Sequence, residues 1–321
     1  MLDTIIIGGS AAGTAAAIYG ARRNLNFLLI SKDFGGEVAT SGEIENYPGF
    51  PHTDGIELAE KFREHLEKNK VQMELDAEVV SIEHGGDHFV VTARPDGILK
   101  AGDKLGAVKA NDTKQYEART VIFATGVHPR ELNVPGEREL RTKGLSYCTV
   151  CDGPLFPKKI VAVVGGGNSA LEAGIMLSGI ASKVYVINKN PAFKGESILI
   201  DKLTAASNVE IIPNANTSRI LGDKFVNAIE FKDASGNSKT LEVQGVFIHI
   251  GMVPNSTAAP ADVKKNQFGE IEVNWVGETN IPGFFAAGDV TNIPFKQIGI
   301  AVGQGIAAVL QAVSYLNRLS H

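Results

Sequence analysis

The chain has 321 residues, 44% of them hydrophobic and 21% charged, the balance of a globular protein with room for about two domains of roughly 150 residues each. A net charge of −5 excludes the basic footprint that nucleic acid demands of a general partner. Two cysteines in a chain of this length exclude a small disulfide-stapled scaffold.

The first predicted elements form a strand–turn–helix–strand unit. Thr4–Ile7 is a short apolar run, followed by Gly8-Gly9-Ser10-Ala11-Ala12-Gly13, an alanine-rich helix to about Arg23 and a second strand over Phe27–Ile30. A dinucleotide pyrophosphate needs this order, because small residues let the backbone approach the phosphates and the helix N-terminus offers free N–H groups. Ser10 replaces the middle glycine of G-x-G-x-x-G, and Ser31 stands where an acid usually holds the adenosine ribose. Taken alone, the loop also reads as a tight turn. Residues 4–20 have the apolar character of a signal-peptide core, but they lack a basic flank and contain a glycine turn. The expected location is therefore a reducing cytoplasm. Farther on, Gly35-Gly36 and Asn46 read, by themselves, as turn chemistry.

Both cysteines fall in Cys148-Thr149-Val150-Cys151, followed by Asp152-Gly153-Pro154. Two thiols at this spacing can close and reopen a small disulfide, so the motif reads as a redox dithiol. A zinc site would need two further ligands, and the nearest histidine in sequence is His128. Asp152 is a candidate acid/base for the thiols and a candidate helix cap. A second nucleotide unit follows. Ile160–Val164 is a β-branched strand, Gly165-Gly166-Gly167-Asn168-Ser169-Ala170 gives G-x-G-x-x-A, a helix runs to about Gly179, and Lys183–Ile187 is the next strand. The apolar run 298–316 is interrupted by Gln304 and Gln311 and is expected to be a buried core helix with no role for a membrane.

With these motifs in order, the chain resembles the low-molecular-weight thioredoxin reductase family and the reductase portion of the alkyl hydroperoxide reductase flavoprotein subunit. The landmarks are GGSAAG, Gly35-Gly36, Glu45-Asn46-Tyr47-Pro48-Gly49, Ala124-Thr125-Gly126, CTVCDG, GGGNSA, Gly251-Met252-Val253-Pro254-Asn255, Ala287-Gly288-Asp289-Val290 and Lys296-Gln297. The polar stretch near residues 96–113 departs from the pattern and reads as an elaborated hairpin. The resemblance implies an α/β fold of two doubly wound, Rossmann-like dinucleotide-binding domains, one inserted in the other. Residues 1–126 and 253–321 would form the FAD-binding domain and 127–252 the NAD(P)-binding-like domain carrying the dithiol.

By the same resemblance, Gly8, Ser10, Ala11, Ala12, Gly13 and Ser31 hold the FAD dinucleotide. Gly35, Gly36, Glu37 and Asn46 line the flavin, Ala124-Thr125-Gly126 marks the crossover between domains, and Gly288-Asp289 meets the ribitol. Lys296, Gln297 and Ile298 stand at the pyrimidine end of the flavin ring. Electrons would pass from a donor through FAD to the Cys148–Cys151 pair and on to a protein disulfide. Cys151 would face the flavin, Cys148 would attack the partner, and Asp152 would move the proton. In the nicotinamide nucleotide site, Gly165, Gly167, Asn168 and Ser169 would hold the pyrophosphate, with Asn188, Lys189 and Lys194 near the ribose. Family members using NADPH carry His-Arg-Arg-x-x-x-Arg where this chain reads Asn188-Lys189-Asn190-Pro191-Ala192-Phe193-Lys194. Lysine lacks the bidentate fork of arginine, and Asn188 is neutral, so the segment does not choose between NADPH and NADH; the intact GGGNSA loop makes NAD(P)H the expected donor, with ferredoxin or a deazaflavin as the alternative. The expected partner is thioredoxin or a thioredoxin-like or glutaredoxin-like protein, met by a homodimer. The variant serving a peroxiredoxin-linked carrier is the alternative, with that carrier a separate protein. The inserted domain is expected to swing on connectors near Gly126–Pro129 and Gly251–Asn255.

Overall fold

β1 (Leu2–Gly9) runs through Ser10 into α1 (Ala11–Arg22) and back into β2 (Phe27–Phe34). The single turn α2 (Gly36–Ala39), the antiparallel pair β3 (Glu43–Ile44) and β4 (Thr53–Asp54), α3 (Gly55–Lys68) and β5 (Met73–Leu75) follow. Asp54 caps α3 by accepting from the Glu57 N–H at 2.8 Å. Three longer strands come next: β6 (Ala77–Gly85), β7 (His88–Pro95) and β8 (Lys114–Phe123). The computed structural model describes residues 1–41, 43–44, 46–95 and 113–319, with the backbone alone at Glu43 and Cys151. The polar stretch read as an elaborated hairpin lies outside the described residues except for residue 113, and Glu45 lies outside them too.

The short strand β9 (Val127–Pro129) leads out of this part of the chain. Two compact units result: Met1–His128 with Val253–His321, and Pro129–Met252. The second unit contains β10 (Leu145–Ser146), the one-turn helix α4 (Thr149–Asp152), β11 (Ile160–Val164), α5 (Asn168–Ser178), β12 (Lys183–Ile187), α6 (Ser197–Ala205) and β13 (Val209–Ile212). An antiparallel meander follows, made of β14 (Asn216–Gly222), β15 (Val226–Lys232) and β16 (Ser238–Glu242), and then β17 (Gly245–Ile248) returns to the main sheet. That sheet is parallel throughout, in the order β10-β17-β11-β12-β13. Alternate residues of β11 face opposite sides, so Ala162 and Val164 enter one core cluster while Val161 and Val163 enter another. A sheet covered on both faces requires this continuous β-branched run.

The chain re-enters the first unit at β18 (Met252–Pro254), and β19 (Phe284–Ala286) and α7 (Ile298–Leu319) complete it. The parallel strands β5, β2, β1 and β8 are neighbours in that order, and β19 adds to β8 with Phe284 beside Val121. The N-terminal part of β8 instead pairs antiparallel with β7, Phe89 opposite Ala118. One long strand thus serves both a dinucleotide-type sheet and a meander. Ile6 faces one core with Leu29, Ile122 and Val309, while Ile5 and Ile7 face the other with Ile30, Phe123 and Phe284. Helix α7 is long and apolar enough, by length and composition, to cross a membrane. In this fold its residues Ala301, Ala308, Val309 and Ala312 belong to the core that α1 also enters. Close approach of the two helices depends on Gly305, where a Cβ would stand 2.0 Å from the Ala12 carbonyl oxygen.

Candidate functional site

In the first unit the glycine loop is closed by contacts that no larger residue permits. Gly8 has φ +111°, and a Cβ there would lie 2.2 Å from the Ala124 carbonyl oxygen; a Cβ on Gly13 would lie 1.8 Å from that of Gly8. Ala11 and Ala12 are buried in the first turn of α1. The Ser10 hydroxyl does not cap that helix; it donates to the Gly35 carbonyl at 2.6 Å, which draws the Gly35-Gly36 turn against the loop. Ser31 is 3% exposed, and its hydroxyl accepts from the Gly9 N–H at 3.0 Å and donates to the Asp33 carbonyl at 2.9 Å. It braces the loop from within the second strand. The N-terminus of α1 therefore keeps its N–H groups clear of side-chain caps, the requirement for binding an anion.

Residues far apart in sequence gather around this loop. Gly288 packs on Ala12, where a Cβ would come within 3.0 Å of the alanine methyl, and the Gly288 N–H donates to Gln304 Oε1 at 2.7 Å. Asp289 is half-buried, and burial pushes its carboxyl above the usual carboxylate range, with Lys296 drawing it partly back. Lys296 Nζ donates to the Thr291 and Ile293 carbonyls and pairs with Glu270 at 3.0 Å, so it holds the turn before α7. Asn46 Nδ2 donates to Gln297 Oε1 at 3.3 Å, bringing together two candidates that are 251 positions apart. Ile298 opens α7 beside them. The segment Asn46–Pro51 lines a cavity of about 540 Å³. Glu37 lies exposed on α2, its backbone carbonyl accepting from the Thr40 hydroxyl at 3.2 Å. Thr125 and Gly126 are tied to the returning chain: the Thr125 hydroxyl donates to the Asn255 carbonyl at 2.8 Å, and the Asn255 N–H donates to the Gly126 carbonyl at 3.0 Å.

In the second unit the loop after β11 has the same build. A Cβ on Gly165 would stand 2.1 Å from the His249 carbonyl oxygen, and Gly167 leads into α5 without a side-chain cap. Ser169 is exposed on the first turn. Asn168 turns sideways, its Oδ1 accepting from the Glu196 N–H at 2.8 Å. Asn188, read as facing the ribose, is 2% exposed; its Nδ2 donates to the Ala192 carbonyl at 3.0 Å and its Oδ1 accepts from the Asn190 N–H at 3.1 Å. It closes its own loop, leaving Lys189 and Lys194 as the exposed cations of that segment.

The dithiol segment also belongs to this second unit. Cys148 is disulfide-bonded, and Cys151 is the other cysteine of the sequence. The Ser146 hydroxyl accepts from the Cys148 N–H at 3.0 Å and donates to its carbonyl at 3.1 Å, and the Asp152 N–H closes the first helical turn onto that carbonyl at 3.1 Å. Asp152 is half-buried at the end of this turn, but its side chain makes no capping bond, which corrects the expectation of a cap. A 3₁₀ turn, Gly153–Leu155, follows with proline near its start, and Asp152 stands at its N-cap position without a side-chain bond to it.

Three residues of these sites escaped the sequence reading. Glu137 is 1% exposed, accepts from the N–H groups of Leu132 and Asn133 at 2.7 and 2.6 Å, and accepts from the Tyr147 hydroxyl at 2.8 Å beside Cys148. His249 shares a hydrogen bond of 2.6 Å with the Thr149 hydroxyl, between the two cysteines. Gln304, noted only as a break in an apolar run, holds the Gly288 turn. A polar residue inside an apolar run has to find a partner, and that was the signal available for Gln304.

A family model described as pyridine nucleotide-disulphide oxidoreductase matches residues 2–308. The F subunit of alkyl hydroperoxide reductase from Escherichia coli (strain K12) is 41% identical over 318 residues, which cover 98% of this chain and 58% of that protein. The chain thus spans less than two thirds of the length of the curated relatives it matches. Among solved structures, thioredoxin reductase from Streptococcus pyogenes MGAS5005 superposes with a TM-score of 0.79 at 36% identity, covering 99% of both chains. A ferredoxin-flavin thioredoxin reductase from Clostridium acetobutylicum gives 0.52 at 31% identity over 99% of this chain and 98% of that one.

Proposed function

Because the chain belongs to the pyridine nucleotide-disulphide oxidoreductase family, we propose that it is an FAD-dependent disulfide reductase that draws electrons from NAD(P)H and passes them through Cys148 and Cys151 to a thioredoxin-like or glutaredoxin-like protein. One observation carries this reading: a disulfide-bonded Cys148 within the unit that also contains the G-x-G-x-x-A loop.

The residues of the first unit fit FAD. The cradle of Gly8, Gly13 and the uncapped α1 N-terminus suits a pyrophosphate. Asp289 is a desolvated carboxylate, suited to accept from sugar hydroxyls. Asn46 and Gln297, whose amides hydrogen-bond each other, would offer donors and acceptors to the edge of a heterocycle. FAD supplies a two-electron exchange between a hydride donor and a disulfide. The chain supplies the rest. Two electrons and two protons open the disulfide to two thiols. The Cys148 thiolate attacks one sulfur of the partner disulfide and releases the other as a thiolate, giving a mixed disulfide. Cys151 then attacks Cys148, restoring the internal disulfide and releasing the reduced partner. Asp152 stands at the end of the same turn and is assigned the proton transfers that accompany thiol ionisation.

The higher identity to the Escherichia coli alkyl hydroperoxide reductase protein supports a second reading of the partner, a carrier that serves a hydroperoxide-reducing protein. Both readings meet the same experiment. Cys148→Ser and Cys151→Ser should each abolish reduction of a thioredoxin-like disulfide while anaerobic flavin reduction by NADPH or NADH proceeds. Near parental disulfide reduction by either variant would refute the relay.

A further inference from the structure

Helix α4 is one turn long, and a single turn cannot hold its own geometry in water. Something else must fix the two residues between the cysteines. Val150 is 61% exposed and contributes nothing to that end, whereas Thr149 is 3% exposed. The Thr149 hydroxyl meets His249 Nε2 at 2.6 Å, a contact between residues 100 positions apart. His249 itself is rigidly placed. It directly follows β17, its N–H donates to the Val164 carbonyl at 2.8 Å, and its own carbonyl abuts Gly165 at the opening of the dinucleotide loop. It stands where β17 and β11 end side by side, with Ile248 level with Val164. In sheets of this type that end of neighbouring strands is the ligand-binding crevice.

We propose that His249 is a positioning residue for the dithiol: through Thr149 it ties the turn between the cysteines to the strand end that walls the dinucleotide loop, and so sets the redox poise of the Cys148–Cys151 couple. This rests on the relay proposed above. Burial lowers the imidazole to about 4, so the ring is neutral near pH 7 and acts by hydrogen bonding, not by charge. The bond accompanies a disulfide-bonded Cys148. Its loss therefore costs the oxidised form more than the dithiol, in which the turn is free of the covalent ring. From the Cys148 side, Ser146 clamps the backbone at both the N–H and the carbonyl, so Thr149 is the complementary point of control.

The test uses the full FAD-loaded chain equilibrated in glutathione buffers at pH 7, with free thiols trapped by a maleimide. Thr149→Val keeps the shape and removes the hydroxyl; His249→Phe keeps a ring and removes the nitrogen. Each should move the couple towards the dithiol by about three- to tenfold in its equilibrium constant, the worth of one buried hydrogen bond. A tenfold move is about 30 mV for a two-electron couple. The double variant should move it no further than the larger single change, because both remove the same contact. His249→Gln, whose amide still reaches a hydroxyl, should stay within about twofold of the parent. Far-ultraviolet circular dichroism checks that each variant is folded, and Thr149→Val serves if His249→Phe is not. A Thr149→Val couple unmoved in a folded protein, one moved towards the disulfide, or additive single effects would overturn the proposal. Failure of the relay reads differently: the parent would turn over without its disulfide opening, whereas an intact relay with unmoved couples sinks only the role of His249.

Discussion

Replacing Glu137 should unlock the segment that carries the dithiol. Its carboxylate is 1% exposed and serves donors with both oxygens. Oε1 accepts from the Leu132 N–H at 2.7 Å and the Tyr147 hydroxyl at 2.8 Å, and Oε2 accepts from the Asn133 N–H at 2.6 Å and, more weakly, the Val134 N–H at 3.4 Å. Glu137→Ala orphans three well-placed donors at roughly 1–3 kcal/mol each before water relieves some of them, so a loss of about 3–5 kcal/mol is expected. Glu137→Gln keeps one acceptor oxygen but turns an NH₂ group towards donors on the other side, so about 2 kcal/mol should go. Tyr147→Phe removes one bond to a charged group and should cost about 1.5 kcal/mol, the smallest of the three. The sole tryptophan, Trp275, lies in the first unit and does not report on this one. The assay is therefore native-state hydrogen exchange of the Val161–Val164 amides in β11, whose opening reports the stability of the second unit. The order Ala, then Gln, then Phe is the signature. An alanine variant exchanging at the parental rate, or a glutamine variant as stable as the parent, would refute the claim that both oxygens are used.

Three further predictions are independent of that one. Asp289→Ala should weaken FAD binding about 10- to 100-fold, the worth of a hydrogen bond to a charged acceptor, as read by fluorescence on reloading the apoprotein; unchanged retention after dialysis would remove Asp289 from the site. Asn190→Arg should lower the Michaelis constant for NADPH more than that for NADH, because a guanidinium there would face the 2′-phosphate; Asn188→Arg should instead disrupt its own loop, since the asparagine is buried and bonded to Ala192 and Asn190. Equal responses to the two nucleotides would detach this segment from the ribose. His249 has a folded value of about 4 against an unfolded 6.5, so it contributes stability that is fully present above pH 6.5 and lost as pH falls towards 4. About 2–3 kcal/mol should disappear across that window in urea titrations, and His249→Gln should flatten the slope; a parental slope in the variant would contradict the burial of a neutral ring.

What the sequence determined by itself is local. Glycine at Gly8 and Gly13, β-branched runs at Thr4–Ile7 and Ile160–Val164, and two cysteines three positions apart act through backbone sterics and short-range chemistry, and these are legible without a fold. The α/β class and the two nucleotide-type units follow from them. The partnerships that make sites of those motifs were decided by tertiary structure. Asn46 meets Gln297 only because β19 docks on β8 and delivers the last turn and helix to the first glycine loop. Asn188 was read from its position as facing a ribose, yet its side chain turns back on its own loop, an alternative that short polar side chains carry and that a sequence pattern does not reveal. Glu137 and His249 look like ordinary residues of a loop and a strand end, and become specific only when Tyr147 and Thr149 are brought to them. A hydrogen bond needs its partners placed within a few tenths of an ångström, and over separations of 100 or 251 positions that placement is a property of the assembled cores, not of any segment.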